Sequence, residues 1–399
     1  MPIGFANSIL GTGSSATGAN AFVDWDGSND DTFTRTSAVQ GFLGFAAFND
    51  EYGVSLHITD AGGSSFDHIR YDVLRNNSGT LSIANQDQSF LTTSTSNYID
   101  FRHKIMPTNS GNIFVDTDIG TNDAAIFSIS GSSVTQHTTF KSRTDLGLGG
   151  KIYRQPSSDV YVNTGHRGAE LMTLTDNGDS SSDSSGSSTF VASSQMFYNQ
   201  ARVIQGFKDA NTMLTYRSLQ SGARYVIQPF ELDLTSTGEQ DVVSNLVGSQ
   251  VTLDLAASGS NVIEFGQGGS SHFETTDFND MCIFIERKGG SPGQIRVHHF
   301  TTGDSTTLTS NTLTYSAGSD NDVSPTGCFV GANNDVFVFA HLQDTSNMII
   351  CKFVKSTNTL SEITRINDTF NIEKCRMSRW GDGAALLTYN DVKMRLIQI

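Results

Sequence analysis

Apolar residues in this chain come in short alternating runs separated by polar turns, and the runs recur in pairs. Met281 to Glu286 is followed by Gln294 to Phe300, Val336 to His341 by Asn347 to Phe353, and Ala384 to Tyr389 by Lys393 to Ile399. A period of two sends alternate side chains to opposite faces of a strand, so each pair predicts a hairpin of half-buried strands. Weaker runs cover Tyr52 to Thr59, Ile113 to Asp118, Asp159 to Thr164 and Met213 to Tyr216. Taking Ser55, Val115, Val162, Leu214, Phe284, Val338 and Leu387 as equivalent points gives a step of roughly 55 residues, near the length of a propeller blade.

A lone four-stranded blade cannot bury both faces, and stacking blades in a ring buries them and removes most open edges. The pattern therefore predicts an all-β, seven-bladed β-propeller closed by an N-terminal strand. The last copy stops after its third strand, and Asn20 to Trp25 or Thr32 to Ser37 could supply the fourth. Tandem β-sandwiches are the alternative that the same short strands and turns allow. Residues 1–40 read as an arm with the closing strand, and residues 41–399 as the propeller. The small-residue strand Gly41 to Ala47 suits an innermost strand, where neighbours converge, or a strand with a bulge.

Composition supports one β body: 38 Gly against 6 Pro suits tight turns rather than stiff linkers. Asp176 to Ser188 has too little apolar content to pack and reads as an exposed loop, while 250–271 and 310–325 read as rim or inter-blade segments. Ser187 to Arg202 is the least strand-like stretch, with a short helical turn expected at Met196 to Tyr198. The net charge of -16, with no basic stripe, argues against nucleic acid, whose affinity rests on phosphate neutralisation. No run approaches the apolar length of a membrane span. Met1 to Asn7 lacks the basic segment and apolar run of a secretory signal, and the four Cys show no zinc spacing. A chain made in a cytoplasm with buried thiols is the expectation.

Motifs that could carry chemistry are few. Gly289-Gly290-Ser291-Pro292-Gly293 matches a nucleophile elbow in letters, but Pro292 has no N–H to serve as an oxyanion donor, and strands flank it. A hairpin turn is expected there. Gly11 to Ala16 imitates a dinucleotide loop without the strand and helix that such a loop needs. Calcium takes closely spaced oxygen ligands, and Asp24, Asp26, Asn29, Asp30 and Asp31 could supply a structural site, as could Asp116, Asp118 and Asp123. Solvated turns are the simpler reading of both sets, and no other cofactor is implied. The adjacent His298 and His299 point to opposite faces of a strand and cannot chelate one ion together. Trp25, Tyr52, Tyr98, Tyr198 and Trp380 could stack on sugar rings, although core packing accounts for any one of them. No two carboxylates are singled out for glycoside cleavage.

Met1 to Gly11, followed by Phe22-Val23-Asp24-Trp25-Asp26-Gly27-Ser28-Asn29-Asp30-Asp31 through Thr36, resembles the start of tail-fibre and appendage proteins of tailed bacteriophages. The rest resembles, in architecture, the propellers of virion structural proteins. The resemblance implies a non-enzymatic, multi-copy virion protein on the tail or capsid exterior, assembled in the host cytoplasm. It also implies docking of the arm to other virion proteins and contact of rim loops with a host-surface glycan. A carbohydrate-active propeller enzyme or a glycan-binding lectin is the alternative.

Overall fold

The computed structural model describes residues 31–35, 41–60, 67–92, 105–116, 124–140, 152–155, 158–165, 168–176, 184–185, 189–192, 205–221, 224–236, 251–253, 281–288, 294–301, 304–314, 323–330, 336–342, 347–354, 356–366, 376–381, 384–389 and 393–398. Among them there is no helix; all elements are strands, grouped in seven antiparallel sheets. The closing strand β1 (Asp31–Thr34) precedes them all in sequence.

The first sheet runs outward through β2 (Gly41–Ala47), β3 (Tyr52–Asp60), β4 (Asp67–Asn77) and β5 (Thr80–Thr92). The second holds β6 (Ile105–Pro107), β7 (Ile113–Asp116), β8 (Ala124–Ser130) and β9 (Ser133–Gln136). The third holds β10 (Ile152–Arg154), β11 (Val160–Gly165) and β12 (Gly168–Thr175), with β13 (Ser184–Ser185) and β14 (Thr189–Ala192) both on β12. The fourth is β15 (Gln205–Asp209), β16 (Thr212–Ser221), β17 (Arg224–Asp233) and β18 (Val251–Leu253). The fifth is β19 (Met281–Lys288), β20 (Gln294–Thr301) and β21 (Asp304–Thr314). The sixth is β22 (Val323–Val330), β23 (Val336–Leu342), β24 (Asn347–Val354) and β25 (Thr359–Ile366). The seventh is β26 (Arg376–Trp380), β27 (Ala384–Tyr389) and β28 (Lys393–Gln398), and β1 completes it by pairing antiparallel with β28, Asp31 opposite Leu396 and Thr34 opposite Lys393.

This is a β-propeller. The first strands of successive sheets pack on one another, β2 against both β6 and β26, and β19 against both β15 and β22. Packing on both sides explains why a middle strand such as β27 is buried along its whole length. In β27, Ala384 and Leu386 face the first sheet in a cluster with Phe42, Phe45, Trp380 and Leu396, while Ala385, Leu387 and Tyr389 face Phe337, Phe339 and Ile350 of the sixth. Both faces are thus dry, as a strand between two packed layers requires. Phe114 does the same for the second sheet, packing on Tyr161 of the third at 5.5 Å between ring centres while Ile113 and Val115 join the first-sheet cluster.

Both readings of Gly41 to Ala47 hold: β2 is innermost, and its register shifts between Phe42 and Gly44. A methyl group at Gly44 would stand 2.7 Å from Ile105 on the neighbouring innermost strand, so convergence selects glycine there. Six of the seven equivalent points fall on second strands, Ser55 on β3 through Leu387 on β27. Phe284 falls on β19, a first strand, because the paired runs 281–286 and 294–300 form a first-to-second hairpin, whereas the other two pairs are second-to-third. Part of the segment read as a loop is ordered, since Ser184 and Ser185 pair with Thr175 and Leu174. The stretch 310–325 likewise carries the end of β21 and the start of β22. Within 187–202, Thr189–Ala192 is strand, and 196–198 lie outside the described residues.

In an up-and-down sheet, the first-to-second and third-to-fourth turns emerge on one rim, and here neighbouring turns bond to each other. Trp380 Nε1 donates to Asn49 O at 3.0 Å, Asn109 N to Asp159 Oδ1 at 2.7 Å, and Gln155 Nε2 to Ala210 O. Asn49 shapes its own turn by accepting from the N–H groups of Glu51 and Tyr52 at 2.9 and 2.8 Å, the Asx geometry that its side chain favours.

Candidate functional site

Two polar clusters stand out, one within a seam and one on the rim. The first lies where the closing strand meets the first sheet. Arg35, just beyond β1, is fully buried with Asp72 of β4 and His57 of β3, and its guanidinium reaches Asp87 of β5 at 2.6 Å. Asp87 is placed by the shifts in β4–β5 register on either side of Asp72, with a positive φ of 52°. Such a bulge re-aims a side chain. Its backbone N–H donates to Asp72 Oδ1 at 2.9 Å, and Gln86 Nε2 donates to its Oδ2 at 2.9 Å.

Charge decides how this cluster behaves. Burial, reinforced by the Arg35 charge, pushes the His57 imidazole down to about 4, so the ring is neutral near pH 7. Its Nε2 then donates to Asp87 Oδ1 at 2.9 Å, while Nδ1 lies 3.8 Å from Asp72 Oδ2. Burial works to raise the Asp87 carboxyl, but hydrogen bonds from Gln86 and His57 and the Arg35 charge outweigh it, so Asp87 is held low. His57, Asp72 and Asp87 offer ligand atoms within 4.8 Å of one another, the described trio with metal-site spacing. Arg35 fills the cation position between the two carboxylates.

The second cluster bridges the second and third sheets. The β6–β7 turn, Thr108 to Asn112, lies against two partly exposed carboxylates, Asp159 before β11 and Asp176 after β12. Asp176 Oδ2 accepts from Asn112 Nδ2 at 2.8 Å, from Thr108 Oγ1 at 3.4 Å and from Ser110 Oγ. Beneath them the buried Tyr161 donates its hydroxyl to Asp159 Oδ1 at 3.2 Å. Burial first, then the Asp159 charge, raises the Tyr161 phenol well above its usual range, so it stays a proton donor. Arg154 stands opposite Tyr161 in the β10–β11 register, and its Nη1 is buried without a hydrogen-bond partner. A guanidinium, a protonated phenol and two carboxylates can bind hydroxyl-rich ligands and exchange protons with them.

The sites expected from sequence fare differently. Asp24, Asp26, Asn29 and Asp30 lie outside the described residues, and Asp31 enters β1. Asp116 is buried in β7, while Asp118 and Asp123 lie outside the described residues. Tyr52 and Trp380 are core residues, and Trp25, Tyr98 and Tyr198 lie outside the described residues. The elbow-like Gly289 to Gly293 also lies outside them, but it connects antiparallel β19 and β20, which pair up to Lys288 and Gln294. Sequence reading passed over Arg35, Asp72 and Asp87, and over the convergence of Asp159 with Asp176. Alternation in Ile69-Arg70-Tyr71-Asp72-Val73 puts Asp72 on the polar side with Arg70, so nothing local marked it as buried.

No family model and no curated protein matches this chain. Similar solved structures include a catalytically inactive virginiamycin B lyase from Staphylococcus aureus with quinupristin, 11% identical, covering 93% of this chain and 99% of that one, TM-score 0.45. An oligogalacturonate lyase in complex with manganese is 10% identical, covering 93% and 96%, TM-score 0.47. A calcium structure of a Trichoderma reesei carbohydrate-active enzyme of family AA12 is 8% identical, covering 74% and 92%, TM-score 0.42. These named enzymes correct the expectation of a non-enzymatic virion platform on a phage tail or capsid: they are lyases and a carbohydrate-active enzyme, and none is a virion protein. The expectation rested on the first forty residues, of which 31–35 are described, and on an architectural likeness of the rest.

Proposed function

We propose that this chain is a carbohydrate-active β-propeller whose sugar site is the rim between the second and third sheets. The observation that carries the reading is the convergence of Asp159 and Asp176 on the Thr108 to Asn112 turn, above the Tyr161 hydroxyl. Sugars present closely spaced hydroxyls that both donate and accept, and carboxylates, amides and hydroxyls are their natural partners. Two carboxylates facing one ligand are also the minimum set for acid–base cleavage of a glycosidic bond. Asp159, coupled to Tyr161, is assigned the proton-transfer role, and Asp176, gripped by three donors, the positioning role. The net charge of -16 disfavours nucleic acid and leaves sugars as suitable ligands.

Incubating the full chain with a polysaccharide panel tests this, reading new reducing ends for hydrolysis and ultraviolet absorbance of unsaturated products for elimination. Turnover that falls in both Asp159→Asn and Asp176→Asn supports the proposal. Saturable binding without product would reduce the protein to a lectin. No binding to any glycan, or turnover indifferent to both substitutions, would remove this site from consideration.

A further inference from the structure

We infer that His57, Asp72 and Asp87 form a divalent-cation site for which Arg35 is a built-in competitor. The three ligands come from adjacent strands β3, β4 and β5 of one sheet, so the pocket exists without the closing strand. Arg35 enters it from outside, carried by a strand that, among the described residues, pairs with the last sheet. The inference is independent of the glycan reading, since the two clusters share no residue.

Asp72 and Asp87 present two carboxylates to the single guanidinium of Arg35, and the Arg70 guanidinium rests on the Asp87 carbonyl at 2.7 Å. A divalent ion in the place of Arg35 would meet the same two carboxylates, one fully buried and one partly exposed. His57 Nε2 lies 3.4 Å from Arg35 Nη2, so an ion in the guanidinium's place would meet that nitrogen, with the ring proton carried on Nδ1. One imidazole with two carboxylates is a donor set for a borderline ion such as Zn²⁺, with a further position left for water. Asp87, 28% exposed, provides the entry side. Since the ion takes the carboxylates that anchor Arg35, its binding and the seating of β1 oppose each other, and linkage makes the opposition reciprocal.

Titrating zinc chloride into the full chain and into full-length Arg35→Ala, with calorimetric detection and circular dichroism to verify the fold, tests the exchange. Arg35→Ala is expected to bind a single equivalent about tenfold more tightly than the parent, and a further His57→Gln should abolish that gain. Equal affinity in the folded variant, or a gain that survives His57→Gln, would overturn the inference. If Arg35→Ala does not fold, hydrogen exchange on the parent protein decides. Zinc should accelerate exchange at the Asp31 to Thr34 amides, and unchanged rates would overturn the inference.

Discussion

The seam between the last and first sheets and the rim between the second and third both gather charged side chains where two sheets meet, yet water reaches them differently. In the first, Arg35, His57 and Asp72 are sealed, and every charge must find its partner within the protein. In the second, Asp159 and Asp176 keep part of their surface in water, and their bonds to the Thr108 to Asn112 turn can be traded for bonds to a ligand. Burial therefore assigns one cluster to holding the ring together and leaves the other available for recognition. Electrostatic strength follows the same division, because a low dielectric magnifies both pairing and the cost of losing it.

The largest effect should come from breaking the sealed cluster. Arg35→Ala strands Asp72 and Asp87 without their cation, and a loss of about 3–5 kcal/mol is expected by urea unfolding. Arg35→Met combined with Asp72→Asn should recover much of it, because removing both charges also removes the desolvation cost.

Acid should reach the same cluster through His57. Its folded value of about 4 lies below the ordinary 6.5, so the unfolded chain takes up the proton first. The stability contributed by the neutral ring is complete above the ordinary value and is lost as pH falls towards the folded one, by about 3 kcal/mol. Denaturation across that window should show the slope, and His57→Gln should flatten it. The Tyr161 phenol has the opposite sense. Raised in the folded state, it contributes stability that is lost as pH climbs above its ordinary value of 10.0.

Next comes the apolar part of the first seam. A methyl group at Gly53 would meet the Phe45 ring at 2.4 Å and Ala46 O at 2.8 Å. Phe45 cannot retreat easily, since it packs against Trp380 at 4.7 Å between ring centres. Gly53→Ala should cost about 1–3 kcal/mol, read as a lower melting temperature. The smallest stability effect belongs to the exposed cluster: Asp176→Ala removes the acceptor for Thr108, Ser110 and Asn112, but Ser110 and Asn112 can turn to water and the buried Thr108 keeps Ser110 as a partner. About 1 kcal/mol is expected in the same assay, against a large loss of turnover. If Asp176→Ala destabilised the protein as much as Arg35→Ala, the division between sealed and open clusters would fail.

Much of the architecture was legible in the chain. Alternation marked the paired strands, their spacing marked seven repeats, and the last copy pointed to Asn20 to Trp25 or Thr32 to Ser37 as its fourth strand, the second of which overlaps Asp31–Thr34. The fifth copy was placed one strand early because a run with period two looks alike on a first or a second strand, as Phe284 and its register partner His298 show. The clusters were harder to read. Asp72 and Asp87 are close in sequence but become ligands of one cation only because β5 bulges, and Arg35 reaches them only once the ring's two ends meet.

Local pattern thus determined what alternation and turn chemistry determine: an all-β chain, a repeating sheet, and strands apolar on both faces where two layers cover them. Tertiary structure alone decided which polar residues meet and which stay wet. Those outcomes depend on contacts between sheets far apart in the chain, such as Trp380 with Asn49, and period-two alternation fixes a face without naming the neighbour it will meet.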